Sequence, residues 1–127
     1  MSGGDESHPA AVAALAQLAA MRRGDWAAAL ELATAELRAR LTPARFGSTA
    51  REGYGPVLAS VDQRVKQVEV DAGRAQVRIA LMLGDRSAAF AIYELVDEDG
   101  EWRVAGVALG STLTATASLN GGRPKPA

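Results

Sequence analysis

The sequence has 127 residues, of which 48% are hydrophobic and 23% charged, and its formal net charge is -1. This length and composition predict one globular domain, and the scatter of 14 basic residues among 15 acidic ones gives no basic stripe for nucleic acid. Cysteine is absent, which excludes disulfides, thiolate nucleophiles and Cys-ligated metals. No apolar run approaches the ~20 residues of a membrane helix.

Two helices are predicted first. Pro9 suits a first helical turn and Gly24 a left-handed stop, so the apolar spacing between them predicts a helix. Asp25 then caps a second predicted helix, packed against the first as a tight hairpin. The buried seam of this second helix is predicted to be Trp26, Leu30, Ala33, Leu37 and Leu41.

A short third helix is predicted to follow. Thr42 and Pro43 repeat the pattern of a cap followed by proline and open a helix that runs to about Glu52. The segment "GYGP", with Gly53 and Gly55 on either side of a tyrosine, is predicted to end that helix in a turn.

From Val61 the apolar period changes from about 3.6 to 2, which indicates strands. The runs "QRVKQVEV", "AQVRIALML", "AAFAIYELV" and "WRVAGVAL" are separated by the short turns "DAGR", "GDRS" and "DEDGE". Connections this short join antiparallel neighbours, because parallel strands need a long crossover. The predicted fold class is therefore α+β, with a helix hairpin and a short third helix packed on a curved four-stranded antiparallel sheet.

The third predicted strand is apolar on both faces. Phe90 and Ile92 share one face, while Tyr93 and Leu95 share the other. A half-exposed strand alternates more cleanly, so we expect the outer face, with Tyr93 and Leu95, to contact a second copy in a homodimer. The alternative is that these two residues are isolated exposed apolar side chains.

The segments "RRGDWAAALELATAELRARLTPARF", "REGYGPV" and "EDGEWRVAGVAL" resemble a bacterial family of small domains of unknown function. That family has the nuclear transport factor 2-like (NTF2-like) superfold, also called cystatin-like or cone-shaped α+β. The resemblance extends from about Ala10 to Leu109 and implies one cone-shaped domain over residues 9–110. Residues 1–8 are predicted to be a flexible N-terminus, and residues 111–127 a tail rich in Thr, Gly and Pro.

The resemblance does not assign a reaction, since the superfold includes isomerases, cyclases, dehydratases and hydrolases as well as binding modules. The only histidine, His8, lies at the start of the first helix and is predicted to be exposed or to cap it. Glu94 is the candidate carboxylate base, with Arg78 or Arg103 as the neighbouring cation. A cross-strand ion pair is the alternative for this group, and the one we favour.

Tyr54, between its two glycines, is predicted to place its hydroxyl at the open end of the cone, where it binds a ligand or a backbone carbonyl. Arg51 is a second candidate ligand contact, although a helix C-terminal role suits it better. Trp102 is a candidate for ligand stacking, although its apolar period favours the core. The candidate binding residues are thus Arg51, Tyr54, Arg78, Glu94 and Trp102.

The sequence favours a non-catalytic, dimeric domain that binds a small apolar molecule or another protein, with no cofactor and no metal. One alternative is a small isomerase, dehydratase or hydrolase that uses Glu94 and Tyr54. Another is an adaptor that docks a protein partner through the tail, residues 111–127. The N-terminus carries Asp5 and Glu6 and no early Lys or Arg, unlike a secretory signal, so we expect a cytoplasmic location without nucleic-acid or membrane partners.

Overall fold

The computed structural model describes residues 6–110. In this part of the chain helices occupy Pro9–Arg23 (α1), Trp26–Glu31 (α2), Ala35–Arg40 (α3), Pro43–Gly53 (α4) and Gly55–Ala59 (α5). Strands follow at Ser60–Asp71 (β1), Arg74–Leu83 (β2), Ala88–Glu98 (β3) and Glu101–Gly110 (β4). The predicted α+β class is confirmed, and the predicted tail lies outside the described residues.

The four strands form one antiparallel meander in the order β1-β2-β3-β4. The register shifts within β1, between Val65 and Gln67, and again where Glu94 and Leu95 of β3 pair with β4. Such bulges bend a strand and increase its twist. The sheet is therefore curved, and its inner face encloses α1 and the shorter helices in one hydrophobic core.

The start and the end of α1 follow the predicted signals. His8 caps the helix, because its Nδ1 accepts a hydrogen bond from the Ala10 N–H at 3.0 Å. Gly24 adopts the left-handed conformation (φ +76°), and the Asp25 N–H bonds back to the Ala20 carbonyl at 2.9 Å. These bonds satisfy carbonyls that a helix end otherwise leaves unpaired.

The prediction of one continuous second helix is wrong, because the chain breaks into α2 and α3 around Ala33. There the main chain joins the free edge of β4: the Thr34 N–H donates to the Val104 carbonyl (3.0 Å), and the Val104 N–H donates to the Leu32 carbonyl (2.8 Å). Thr34 then caps α3 by accepting from the Leu37 N–H. The apolar period continues through the break and therefore does not reveal it.

The segment "GYGP" is also not the plain turn that we predicted. Tyr54 ends α4 and at the same time precedes α5, whose first turn contains Pro56. Proline is compatible with this position because the N–H that it lacks has no partner inside the helix. The short α5 leads directly into β1 at Ser60.

The expectation that Tyr93 and Leu95 lie on the outer face of the sheet is wrong. Both are buried in the core, at 0% and 1% exposure. They pair in register with Val77 and Ala75 of β2, so they belong to the inner face. Phe90 and Ile92 occupy the outer face instead.

Candidate functional site

A small cavity of about 50 Å³ lies inside the cone, between the helices and β4. Met21 of α1, Leu30 of α2 and Phe46 of α4 line it, together with Leu37 of α3 and Leu41, the residue that follows α3. The wall is apolar except for the side chains of Gln17 and Tyr54. Because the break between α2 and α3 holds the chain against β4, this end of the cone is closed by α3 and the segment after it.

Gln17 is the most informative polar residue of this cavity. It lies on α1 and is only 2% exposed. Its Nε2 donates to the Ala29 carbonyl at 3.1 Å. Its Oε1, by contrast, is buried without a hydrogen-bond partner among the described residues. A buried acceptor left unpaired costs about 1–3 kcal/mol, so a hydrogen bond to this oxygen would stabilise the fold.

Two tyrosines contribute hydroxyl groups to the same interior. The Tyr54 hydroxyl donates to the Val107 carbonyl at 3.3 Å, and partial burial raises the pKa of this phenol. Tyr93 is fully buried, and its hydroxyl has no hydrogen-bond partner in the described part of the chain. Burial raises the Tyr93 pKa well above its usual range, and the nearby Tyr54 adds to the effect. Both phenols are therefore neutral at physiological pH.

The predicted catalytic pair does not share this cavity. Tyr54 lines it, whereas Glu94 alternates with the buried Tyr93 and Leu95 and is exposed on the outer face. Neither predicted cation pairs with Glu94: the Arg103 guanidinium bonds to the Glu101 carboxylate at 2.6 Å, and Arg78 lies over the Phe90 ring at 4.3 Å. The structure therefore does not bring Glu94 and Tyr54 together in this cavity.

The other candidate residues also lie away from the cavity. Arg51 is in the last turn of α4, with its guanidinium 5.8 Å from the centre of the Trp26 ring. Trp102 is half-buried and packs against the core, with its ring 6.3 Å from that of His8. No charged side chain of residues 6–110 lines the cavity.

Gln17 was not among the residues that the sequence singled out. A signal was present, because Ala10, Ala14, Gln17 and Met21 are spaced by four, three and four and lie on one helix face. A glutamine in an otherwise apolar stripe of this kind marks a buried polar group.

Within residues 6–110 no group of three or more His, Asp or Glu residues is arranged to hold a metal ion. None of the helices described there is long and apolar enough to cross a membrane.

A curved antiparallel sheet that encloses a long helix and several short ones defines the NTF2-like class of cone-shaped α+β domains. The chain belongs to the family described as "Domain of unknown function (DUF4864)", whose model matches residues 8–117. This agrees with the resemblance that the sequence shows to a bacterial family of unknown function. None of the curated proteins compared with the chain matches it.

Three solved structures are similar in fold. A SEC-C motif containing protein from Rhodopseudomonas palustris is 15% identical (TM-score 0.54), with 71% of this chain and 70% of that one covered. A Campylobacter jejuni protein named as an NTF2-like transpeptidase is 12% identical (TM-score 0.55), with coverage of 71% and 91%. A designed NTF2 chain is 14% identical (TM-score 0.56), with coverage of 84% and 100%. At these identities the likeness concerns the fold alone.

Proposed function

We propose that this domain is a non-catalytic binding protein that takes a small, neutral and mostly apolar molecule into the interior of its cone. The observation that carries the proposal is the buried, unpaired Oε1 of Gln17, a residue that lines the cavity. A ligand that fits has an apolar body and one hydrogen-bond donor, such as a hydroxyl or amide N–H group, directed at this oxygen.

The absence of charged side chains among the described residues that line the cavity supports a neutral ligand. A charged group would lose its hydration on entering and would meet no counter-ion among the described lining residues. The same feature argues against acid–base catalysis in the cavity, because the polar side chains that line it are the amide of Gln17 and the neutral phenol of Tyr54. The alternative, an enzyme that uses Glu94 and Tyr54 together, requires both side chains to reach the same cavity.

The volume supports a small ligand. A cavity of ~10–15 Å³ holds one water molecule, whereas an apolar cavity of ~150 Å³ binds benzene. A space of about 50 Å³ therefore suits a few heavy atoms, or the end of a longer molecule. We expect the ligand to enter beneath α3. Leu37 of this helix lines the cavity, but none of the six residues of α3 is fully buried.

A pair of probes tests the proposal directly. 1-Butanol and 1-chlorobutane have similar apolar bodies, but only the alcohol donates a hydrogen bond. Titration of the full chain, followed by NMR, is expected to shift the signals of Gln17 and Val107 and to show tighter binding of the alcohol. In Gln17→Met the preference for the alcohol is expected to disappear while the chloride still binds. Absence of shifts at the cavity for both probes would refute the proposal.

The remaining alternatives concern other parts of the molecule. Docking of a protein through the tail involves residues 111–127, which lie outside the described part of the chain. A cytoplasmic location stays a prediction, and the absence of cysteine is compatible with it. A homodimer through the outer face of the sheet also stays a prediction, and Tyr93 and Leu95 do not contribute to that face because they are buried in the core.

A further inference from the structure

Tyr93 is a second interior residue whose hydrogen-bonding capacity is unused. Its side chain is completely buried, at 0% exposure, and its hydroxyl has no hydrogen-bond partner among residues 6–110. In the same part of the chain, the other buried side-chain atoms without a partner are the Gln17 Oε1 and the Arg78 Nε. Arg78 lies over Phe90 on the outer face of the sheet. Gln17 and Tyr93 are therefore the two groups inside the cone that a bound molecule could satisfy.

The fold directs the Tyr93 side chain towards the cavity. Side chains of a strand stand roughly perpendicular to the sheet, so this ring extends from the inner face of β3 towards the helical layer. On β4 Tyr93 is in register with Val107, which lines the cavity. The phenol of Tyr54, another lining residue, is near enough to raise the Tyr93 pKa. Tyr93 does not itself line the cavity, so its hydroxyl lies just outside it, beside these two residues.

Gln17 and Tyr93 require opposite partners. The Gln17 Nε2 already donates to the Ala29 carbonyl, so the free Oε1 requires a hydrogen-bond donor. The Tyr93 hydroxyl has an O–H group without an acceptor, so it requires an acceptor. Tyr54 differs, because its O–H group donates to the Val107 carbonyl at 3.3 Å. Since a buried polar group left unpaired is costly, a molecule that satisfies both free groups gains more than one that satisfies either.

A neutral carboxamide has both of the required groups. Its carbonyl oxygen accepts a hydrogen bond and its N–H group donates one, and the two lie on separate atoms. This arrangement suits protein groups on two different layers, Gln17 on α1 and Tyr93 on β3. A carboxylate has no donor and an ammonium group has no acceptor. Either ion would also bring a charge to a cavity without charged side chains among its described lining residues.

We propose that the Tyr93 hydroxyl is a second hydrogen-bonding group of the ligand site, which donates to the carbonyl oxygen of a small carboxamide while the Gln17 Oε1 accepts from its N–H group. This role of Tyr93 rests on the proposed function, because it names the chemical class of the molecule that enters the cone. The apolar part of the ligand contacts Met21, Leu30 and Phe46, which line the cavity. Contact with Tyr93 requires a shift of side chains at the edge of the cavity, and such rotamer changes are common on binding.

Three probes with the same branched skeleton separate the two hydrogen bonds. 2-Methyl-1-butene has neither group, 2-butanone adds the acceptor, and propanamide has both the acceptor and the donor. Dissociation constants are measured by NMR titration of the full chain. Tyr93→Phe should weaken binding of 2-butanone and propanamide about three- to tenfold, and should change that of 2-methyl-1-butene by less than about twofold. Gln17→Met should weaken propanamide by a similar factor and leave the other two within about twofold.

A measurement on the wild-type side chain makes the test independent of whether Tyr93→Phe folds, which circular dichroism checks. The chain has two tyrosines, so tyrosine labelled with ¹³C at Cζ gives two signals, and Tyr54→Phe assigns them. The Cζ atom carries the hydroxyl and responds to its hydrogen bonding. We expect propanamide and 2-butanone to shift the Tyr93 signal further than 2-methyl-1-butene does.

The outcomes separate this role of Tyr93 from the proposed function. Absence of shifts at the cavity with all three probes would refute the proposed function and, with it, the role of Tyr93. If the probes bind but Tyr93→Phe weakens 2-butanone no more than 2-methyl-1-butene, only the role of Tyr93 is wrong, and a bound water molecule satisfies its hydroxyl. Weakening by Tyr54→Phe in place of Tyr93→Phe would overturn it as well. So would a Tyr93 Cζ signal that stays in place at saturation with propanamide.

Discussion

Replacement of Gln17 by methionine tests how the cavity contributes to stability. Methionine has nearly the length of glutamine, suits a helix, and fills irregular apolar space. The change removes an acceptor that is buried without a partner and a donor that bonds to the Ala29 carbonyl. These two losses act on the free energy of unfolding in opposite directions.

The structure gives the expected size of each effect. Removal of the unpaired Oε1 relieves a desolvation cost of about 1–3 kcal/mol, whereas loss of the Nε2 hydrogen bond removes about 0.5–1.5 kcal/mol. The Ala29 carbonyl does not become unpaired, because it still accepts from the Leu32 N–H at 3.2 Å. We therefore expect Gln17→Met to stabilise the fold by about 1 kcal/mol, which corresponds to a rise of about 4 °C in the melting temperature.

Urea denaturation of the ligand-free protein, followed by circular dichroism, measures this difference. Gln67→Met is the control, since Gln67 lies on β1 and bonds to the exposed Glu69 carboxylate; its effect should stay within ~0.5 kcal/mol. A loss of ~1 kcal/mol or more in Gln17→Met would show that the Oε1 is already satisfied, and would refute the argument that it awaits a ligand.

Three further predictions concern packing, ionisation and a turn. A Cβ at Gly47 would lie 2.8 Å from the Trp26 Nε1. Gly47→Ala should therefore destabilise the wild type by about 1–2 kcal/mol but stabilise a Trp26→Leu variant, in which the indole is absent. A coupling energy below ~0.5 kcal/mol in a double-mutant cycle, measured by urea denaturation, would contradict this clash. Because burial raises the pKa of both Tyr54 and Tyr93, the folded protein holds their protons, so stability should be complete below pH ~10 and fall as the pH rises above it. Absorbance at 295 nm should then show phenolate only with unfolding, and ionisation of both phenols near pH 10 in the folded state would disprove this. Ala72 has φ +52° in the two-residue turn between β1 and β2. Because asparagine tolerates this left-handed backbone better than alanine, Ala72→Asn should raise the free energy of unfolding by about 0.5–1 kcal/mol, as measured by thermal melting. A loss of stability would contradict the role of the left-handed backbone.

The order of helices and strands was predictable because local signals determine it. Gly24 and the capping Asp25 separate the first two helices, and the period of two after Val61 marks the meander. The break at Thr34 was not predictable from periodicity, since its cause is a pairing with Val104, some 70 residues further along the chain. Local sequence does not encode such a long-range contact.

The two faces of β3 illustrate a second limit. The alternation of Phe90 and Ile92 with Tyr93 and Leu95 separates two sets of residues but does not say which set meets the helices. The register with β2 decides, since Tyr93 pairs with the fully buried Val77. Placing Tyr54 at the interior was possible from its junction position, whereas the site role of Gln17 depends on which of its atoms remains unpaired after folding.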